Sequence, residues 1–293
     1  MYKIFVDSDS DFTLKEARKY DLGLISMPYE MENGENIYPY VDYEEFDPKP
    51  FYDKLRSGYV PKTAALNANE YIDMFEPFMK EGKDIIYISF SNKLSSTFNG
   101  VRMAKEVLKE KYPDRFIEVI DTKGIFMLAY LVGLEIIEYI QSGDRSIEEI
   151  RAFASDMADH TACYLYADNL KFFAKSGRVP SIAALAGGVI GIKPIICLDE
   201  EGCMRTVDKI RGRKNALERL MEIVDELQDH IADYTIGIAH TDNEELATQL
   251  MNMVKAKYGP NLKFEFHVTN PTNGAHAGPD CVGVIFHCKK RTI

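Results

Sequence analysis

At 293 residues, with 46% hydrophobic and 28% charged side chains, the chain has the composition of a globular protein with a sizeable core. At roughly 150 residues per domain its length suits two. The net charge of −11 argues against a nucleic-acid backbone or an anionic membrane as principal partner, and the clearest basic patch is KIRGRK at 209–214.

In chain order, YKIFV (2–6) is a short apolar run with the β-branched and aromatic content of a buried parallel strand. The acidic, Tyr-rich segment 29–48 reads as a surface or rim loop. A helix is expected over 69–80, a strand at 84–90, a helix over 96–112 and a strand at 115–122, then a nearly all-apolar helix over 126–141. Strand and helix alternating in this way predict a parallel α/β layer.

Beyond it, strands are expected at 162–168, 193–199, 203–210, 233–240, 263–269 and 281–288, several of them alternating as in an antiparallel sheet with one covered face. Helices over 215–230 and 243–258 would cover that face. The fold class is therefore α/β, with an N-terminal parallel-sheet domain, 1–155, and a C-terminal α+β domain, 156–293, with a mainly antiparallel sheet. The apolar stretch 179–198 contains Lys193, two prolines and three glycines, and reads as two buried elements rather than a membrane span. Five cysteines show neither a CxxC pair nor metal-ligand spacing, as expected of thiols in a reducing compartment. The opening segment has too short an apolar stretch for a signal peptide, so the expected location is the cytoplasm.

Four stretches carry candidate chemistry. FVDSDSDFT (5–13) places a D-x-D after a strand, as in haloacid-dehalogenase-type phosphatases, with Asp7 as nucleophile and Asp9 as acid/base; the paired acidic Mg²⁺ site of that family is not found downstream. As a calcium loop it lacks the turn glycine and the closing glutamate. The plainer reading is a strand-to-helix turn capped by Asp9, Ser10 or Asp11. SFSNKLSST (89–97) places five hydroxyls between a strand and a helix. Ser95 or Ser96 suits the N-cap, but Ser91, Ser95 and Thr97 together exceed what a cap needs. They favour an anion cradle at the helix N-terminus. No G-x-S-x-G elbow supports a nucleophilic serine.

His276 lies between Gly274 and Gly278 in an expected tight loop, where close backbone approach and a ring N–H would suit a carboxylate or phosphate. The small residues of 174–196 fit close helix packing or a slender apolar ligand. Neither G-x-G-x-x-G nor G-x-x-x-x-G-K-[ST] occurs in a suitable place, so no nucleotide site is expected.

Taken in order, FVDSDSDFT, ISMPYEMENGENIYPY, VPKTAALNANEY, ISFSNKLSSTFNGVRMA, GRVPSIAALAGGVIGIKPII, GCMRTVDKIRGRKNAL and GAHAGPDCVGV resemble the successive motifs of the DegV family of bacterial fatty-acid-binding proteins. Its members include the binding subunit of fatty acid kinase. The resemblance spans essentially the whole chain and implies a long-chain fatty acid held at the interface of two domains, carboxylate on hydroxyls and a histidine, acyl chain in an apolar tunnel of the C-terminal domain. Carried over by position, it implicates Thr63, Ser95 and His276 foremost, with Ser91 and Thr97 in support. It also implies a separate ATP-binding kinase subunit as partner, met through Arg178, Arg205, Arg211 and Arg213. It implies no catalytic residue, metal or cofactor in the chain itself.

Departures from the family pattern are TAA at 63–65 for T-S-Q, Asn92 for a serine, Ser96 for a glycine and Asp280 for a glycine. Two alternatives stand beside this reading. One is an Mg²⁺-dependent phosphatase or esterase-type hydrolase using Asp7 and Asp9 or Ser95 with His276. The other is a carrier of a different lipophilic carboxylate.

Overall fold

The computed structural model describes residues 2–41, 46–183 and 191–291. The first half opens on β1 (Tyr2–Asp7), a short turn, α1 (Leu14–Lys19) and β2 (Gly23–Ile25). A capping box starts α1: Thr13 N–H donates to the Glu16 carboxylate, and the Thr13 side chain caps the helix N-terminus in return. β3 (Tyr29–Glu30) and β4 (Asn36–Ile37) follow, then α2 (Pro48–Arg56) and β5 (Lys62–Thr63). Next come α3 (Ala68–Lys80), β6 (Asp84–Ser89), α4 (Thr97–Lys111), β7 (Ile117–Asp121), α5 (Phe126–Gln141) and α6 (Ile147–Asp159).

Strands β2–β1–β6–β7, in that order, make one wholly parallel sheet. Five of the six residues of β6 are buried, which is why the strand is apolar on both faces. β3, β4 and β5 form a separate small antiparallel sheet. The segment 29–48 thus contributes two short strands where a loop was expected; its residues 42–45 lie outside the described residues.

The second half comprises β8 (Thr161–Tyr166), α7 (Leu170–Ser176), α8 (Pro180–Ala183), β9 (Ile192–Leu198), β10 (Met204–Arg211), α9 (Arg213–Leu227), β11 (Ile236–His240), α10 (Glu244–Tyr258), β12 (Phe264–Val268), α11 (Pro271–Ala277) and β13 (Val282–His287). Its sheet runs β10–β9–β8–β13–β11–β12, antiparallel at every pairing except β11 with β12. A parallel first sheet and a mainly antiparallel second one is the expected fold class. The expected division near residue 155 falls inside α6.

Alternation along the second sheet sorts its two faces. Ala162, Tyr164 and Tyr166 of β8 pack with Leu217, Leu220 and Val224 of α9 and Leu250 and Val254 of α10. Cys163 and Leu165 point the other way and join Ile196, Leu198, Ala239 and Ile285 in a core continuous with that of the first half. Helix α5 joins the two sheets. It is apolar nearly all round because it meets the turn after β1 and strand β6 on one side and β8 and β11 on the other. Gly237 of β11 leaves room for Met127 and Leu131; a Cβ there would lie 2.6 Å from Met127 Cγ.

Candidate functional site

Between the two sheets lies a cleft with about 880 Å³ of space among its lining atoms, a figure that includes its mouth. Phe90, Leu94, Ile125 and Phe126 line it from the first half, and Leu165, Phe173, Met204, Ala239 and Val282 from the second. Its polar lining includes Asp9, Thr63, Ser95, Ser176, Arg178 and His276.

His276 and Thr63 come from segments 213 residues apart, and the imidazole Nε2 lies 2.9 Å from Thr63 Oγ1. Thr63 is set by the pairing of β5 with Tyr29 of β3. His276 is on the last turn of α11, not in a loop as expected. Asn270 caps that helix by accepting the Asn273 N–H at 3.0 Å, Pro271 suits its first turn, and Gly278 ends it.

Burial, with the nearby charge of Arg178, holds the His276 imidazole at about 4, so it is neutral at pH 7. The unfolded chain takes up that proton at the ordinary value of 6.5, the folded chain only near 4. Acid therefore favours unfolding through this residue across that window. Relative to His276→Asn, the wild type should lose about 3 kcal/mol as pH falls from above 6.5 to below 4, with a constant difference above 6.5. Denaturant midpoints of both proteins along this pH range check it; parallel curves would refute it.

Ser95 is half-buried at the start of α4, and its Oγ accepts the Thr97 N–H at 3.2 Å. It therefore caps the helix and faces the cleft at once. Arg178 follows α7 and is fixed by its own donors: Nη1 to Ser176 O at 2.5 Å and Nε to Leu94 O at 3.3 Å. It makes no ion pair with a described carboxylate. A guanidinium lining an apolar cleft without an ion-pair partner among the described residues can receive an anionic ligand.

The other expected residues lie elsewhere. Ser91 is fully buried and donates to Gly202 O at 2.8 Å, tying the loop after β6 to the β9–β10 turn. Thr97 accepts the Leu66 N–H at 3.2 Å and bonds the Tyr71 hydroxyl at 2.8 Å. Neither lines the cleft; both hold its walls. Arg205 pairs with Asp199 and Arg213 with Asp168, at 2.7 and 2.8 Å, and Arg211 is exposed at the end of β10. All three are outside the cleft lining.

The departures from the family pattern have physical accounts. Ser96 has ordinary helical backbone angles, φ −76° and ψ −5°, so no glycine is required. Asp280 accepts from Arg56 at 2.9 Å and Asn243 at 3.0 Å, which neutralises its charge outside the cleft. Ala64 adds a methyl to the lining, while Ala65 and Asn92 are exposed.

Asp7 is sealed in the first sheet. It accepts from Ser10 N and Oγ, Tyr87 OH and Phe90 N at 2.8–3.2 Å, and burial raises it to about 6. That arrangement clamps the ends of β1 and β6 and offers nothing to a substrate. Among the described residues no group of three or more His, Cys, Asp or Glu side chains could hold a metal ion, and no helix is long and apolar enough to cross a membrane.

Sequence reading missed the residues that carry α11. Asn270 donates to Ser8 O and Asp11 Oδ1 at 2.6 and 2.7 Å, Asn273 to Asp9 O at 2.8 Å, and Thr272 to Met27 O at 2.8 Å. The Asn-Pro start of a helix was legible in NPTN, but its cross-chain partners were not.

An apolar cleft whose lining also carries hydroxyls, a neutral histidine and a guanidinium without a described ion-pair partner is chemically suited to an anion with an apolar body. A family model described as "Uncharacterised protein, DegV family" matches residues 1–289. A DegV domain-containing protein of Clostridium perfringens is 31% identical over 291 residues, covering 97% of each chain. The chain belongs to the DegV family. Among solved structures, a Thermotoga maritima protein described as revealing a fatty acid binding function has a TM-score of 0.78 at 25% identity, over 98% of this chain and 99% of that one. A stearic acid-binding protein of Eubacterium ventriosum shares the fold, with a TM-score of 0.84 at 20% identity over 99% of both chains.

Proposed function

We propose that the protein binds a long-chain fatty acid in the cytoplasm and presents its carboxylate to a separate ATP-dependent kinase subunit. The carboxylate would sit among Thr63 and Ser95, from residues 1–155, and Arg178 and His276, from residues 156–293. The acyl chain would lie between Phe90 and Phe126 on one side and Leu165, Phe173 and Met204 on the other. The observation that carries this reading is Arg178, a cation without a described carboxylate partner, lining the same apolar cleft as the Thr63–His276 pair.

Burying a carboxylate without partners costs several kcal/mol, and these donors offset that cost. A chain of about sixteen carbons contributes roughly 0.8 kcal/mol per CH₂, so apolar burial supplies most of the affinity. The Thermotoga maritima relative's described fatty acid binding supports the ligand class. The kinase partnership rests on the family resemblance and on the lack of a nucleotide-binding glycine motif in the chain.

Mass spectrometry of ligand released by denaturant tests the first part. Protein that yields no acyl chain even after exposure to lipid would sink it, and the profile of chain lengths separates fatty acids from another lipophilic carboxylate. Thr63→Val and His276→Ala should each weaken binding by about 1–3 kcal/mol, since each strands a buried oxyanion contact. Unchanged affinity in both would overturn the head-group placement. For the second part, the loaded protein with ATP alone should form no acyl phosphate, and should form it when a kinase subunit is added.

A further inference from the structure

Asp9 is an acid in the head of the cleft that the binding site described above leaves unused. It sits in the turn after β1, is 9% exposed and lines the cleft. Its carboxyl Oδ1 is sealed from solvent with no hydrogen-bond partner. Only the residue's backbone carbonyl is engaged, by Asn273 Nδ2 at 2.8 Å. The two other acids of the same turn are placed differently: Asp7 is clamped by Ser10, Tyr87 and Phe90, and Asp11 by Asn270. Of the three, Asp9 alone lines the cleft.

The charges around it do not favour an anion. Its own turn contributes Asp7 and Asp11, and the residues after α7 contribute the single opposing cation, Arg178. Helix α11 contributes His276, which is neutral. Helix α5, packed on the turn, presents Tyr130; α3 and β6 present the phenols of Tyr71 and Tyr87; and β12 carries His267 on the far side of Asp11. Burial and the two like charges therefore raise Asp9 well above the usual carboxylate range. A neutral carboxyl is a hydrogen-bond donor, and the anion that the fatty-acid reading puts in the cleft it lines is a carboxylate.

We propose that Asp9 donates a hydrogen bond from its protonated carboxyl to the ligand's carboxylate, so that two carboxyl groups in the head of the cleft hold one proton between them. This rests on the fatty-acid reading above and makes Asp9 a head-group residue beside Thr63, Ser95, Arg178 and His276. The ligand enters as its anion. Where Asp9 is already protonated, no proton moves; where the empty site has lost it, binding draws one proton from solvent, because two carboxylates facing each other in a closed site cannot both ionise. Affinity is then level at low pH and falls about tenfold per pH unit once the empty-site carboxyl ionises.

The test uses delipidated full-length protein and dodecanoate, titrated between about pH 6.5 and about pH 9.5. In the wild type the dissociation constant should rise with pH over the alkaline part of this range, and calorimetry in two buffers of different ionisation heat should show uptake approaching one proton per ligand on that limb. Asp9→Asn, whatever its affinity, should give a profile level to within about twofold and no proton uptake. A level wild-type profile, or wild type and variant falling together, overturns the shared proton. Should Asp9→Asn not fold by circular dichroism, Asp9→Thr takes its place, and zero proton uptake by the wild type at every pH overturns the proposal without any variant. Absence of dodecanoate binding at pH 7 would remove the fatty-acid reading itself, and the proposal with it.

Discussion

Replacing Asn270 by Ala should lower the unfolding free energy by about 3–5 kcal/mol and weaken ligand binding in the same protein. The residue is 2% exposed and is engaged at four atoms, its backbone oxygen accepting the Gly274 N–H at 2.9 Å. Its Nδ2 donates to Ser8 O and to Asp11 Oδ1, its backbone N–H donates to Asp11 Oδ1 at 3.2 Å, and its Oδ1 caps α11. Alanine takes one of two donors from the buried Ser8 carbonyl, which keeps the Asp11 N–H at 3.0 Å, takes one of two from the buried Asp11 carboxyl and removes the cap. Each loss alone costs about 1–2 kcal/mol or more. Asn270→Asp separates the contributions, because it keeps the cap acceptor but sets a second carboxylate against Asp11, whose own proton affinity burial has already raised to about 6. It should therefore destabilise at least as much at pH 7 as alanine does, and less at pH 5, where protonation removes the repulsion. Urea unfolding at both pH values checks this, and equal losses for Asn270→Asp at pH 7 and 5 would refute the electrostatic part. The effect on binding follows from position: the same helix carries His276.

The two sheets were legible because burial on both faces leaves a period-free apolar run, as in 84–90, and burial on one face leaves alternation, as in 203–210. Helix α5 was legible at both ends for the same reason, being apolar all round. Helix α6 was not expected, although Ser146 and Glu149 form a capping box and Ile150, Ala154 and Met157 make a buried stripe. Its signal was present in the sequence and went unused.

The hydroxyl cluster shows a different limit. Composition placed five hydroxyls near a helix N-terminus, but which of them turn to a ligand depends on contacts far along the chain. Ser91 is turned away by Gly202 and Thr97 by Leu66 and Tyr71, whereas Ser95 is left facing the cleft. Local pattern cannot report a partner 111 residues away. Arg178 illustrates the same point in reverse: the resemblance gave it to a partner surface, and the fold brings its guanidinium into the cleft.

Gly278→Ala should destabilise the protein by about 4 kcal/mol, from two separable sources. The first is backbone: φ 74° with ψ 176° is a region nearly closed to residues with a Cβ, at a cost of about 1–3 kcal/mol. The second is a collision, since a Cβ there would lie 2.3 Å from Cδ2 of Phe172. Overpacking of that kind costs about 1–3 kcal/mol. The glycines around His276 suggested a backbone that something approaches closely; at Gly278 the near neighbour is the Phe172 ring of α7, not the space of the cleft. That contact sets the spacing of α7, which carries Phe173 and Ser176, from α11, which carries His276, so the variant should also bind ligand less tightly. Phe172 is 1% exposed, and Phe172→Ala alone should cost about 3–5 kcal/mol. Combining the two substitutions removes the collision but not the backbone strain. The double variant should be more stable than the sum of the single losses predicts, by about 1–3 kcal/mol. Denaturant midpoints for the four proteins of this cycle measure that coupling, and strict additivity would mean that Gly278 acts through its backbone angle alone.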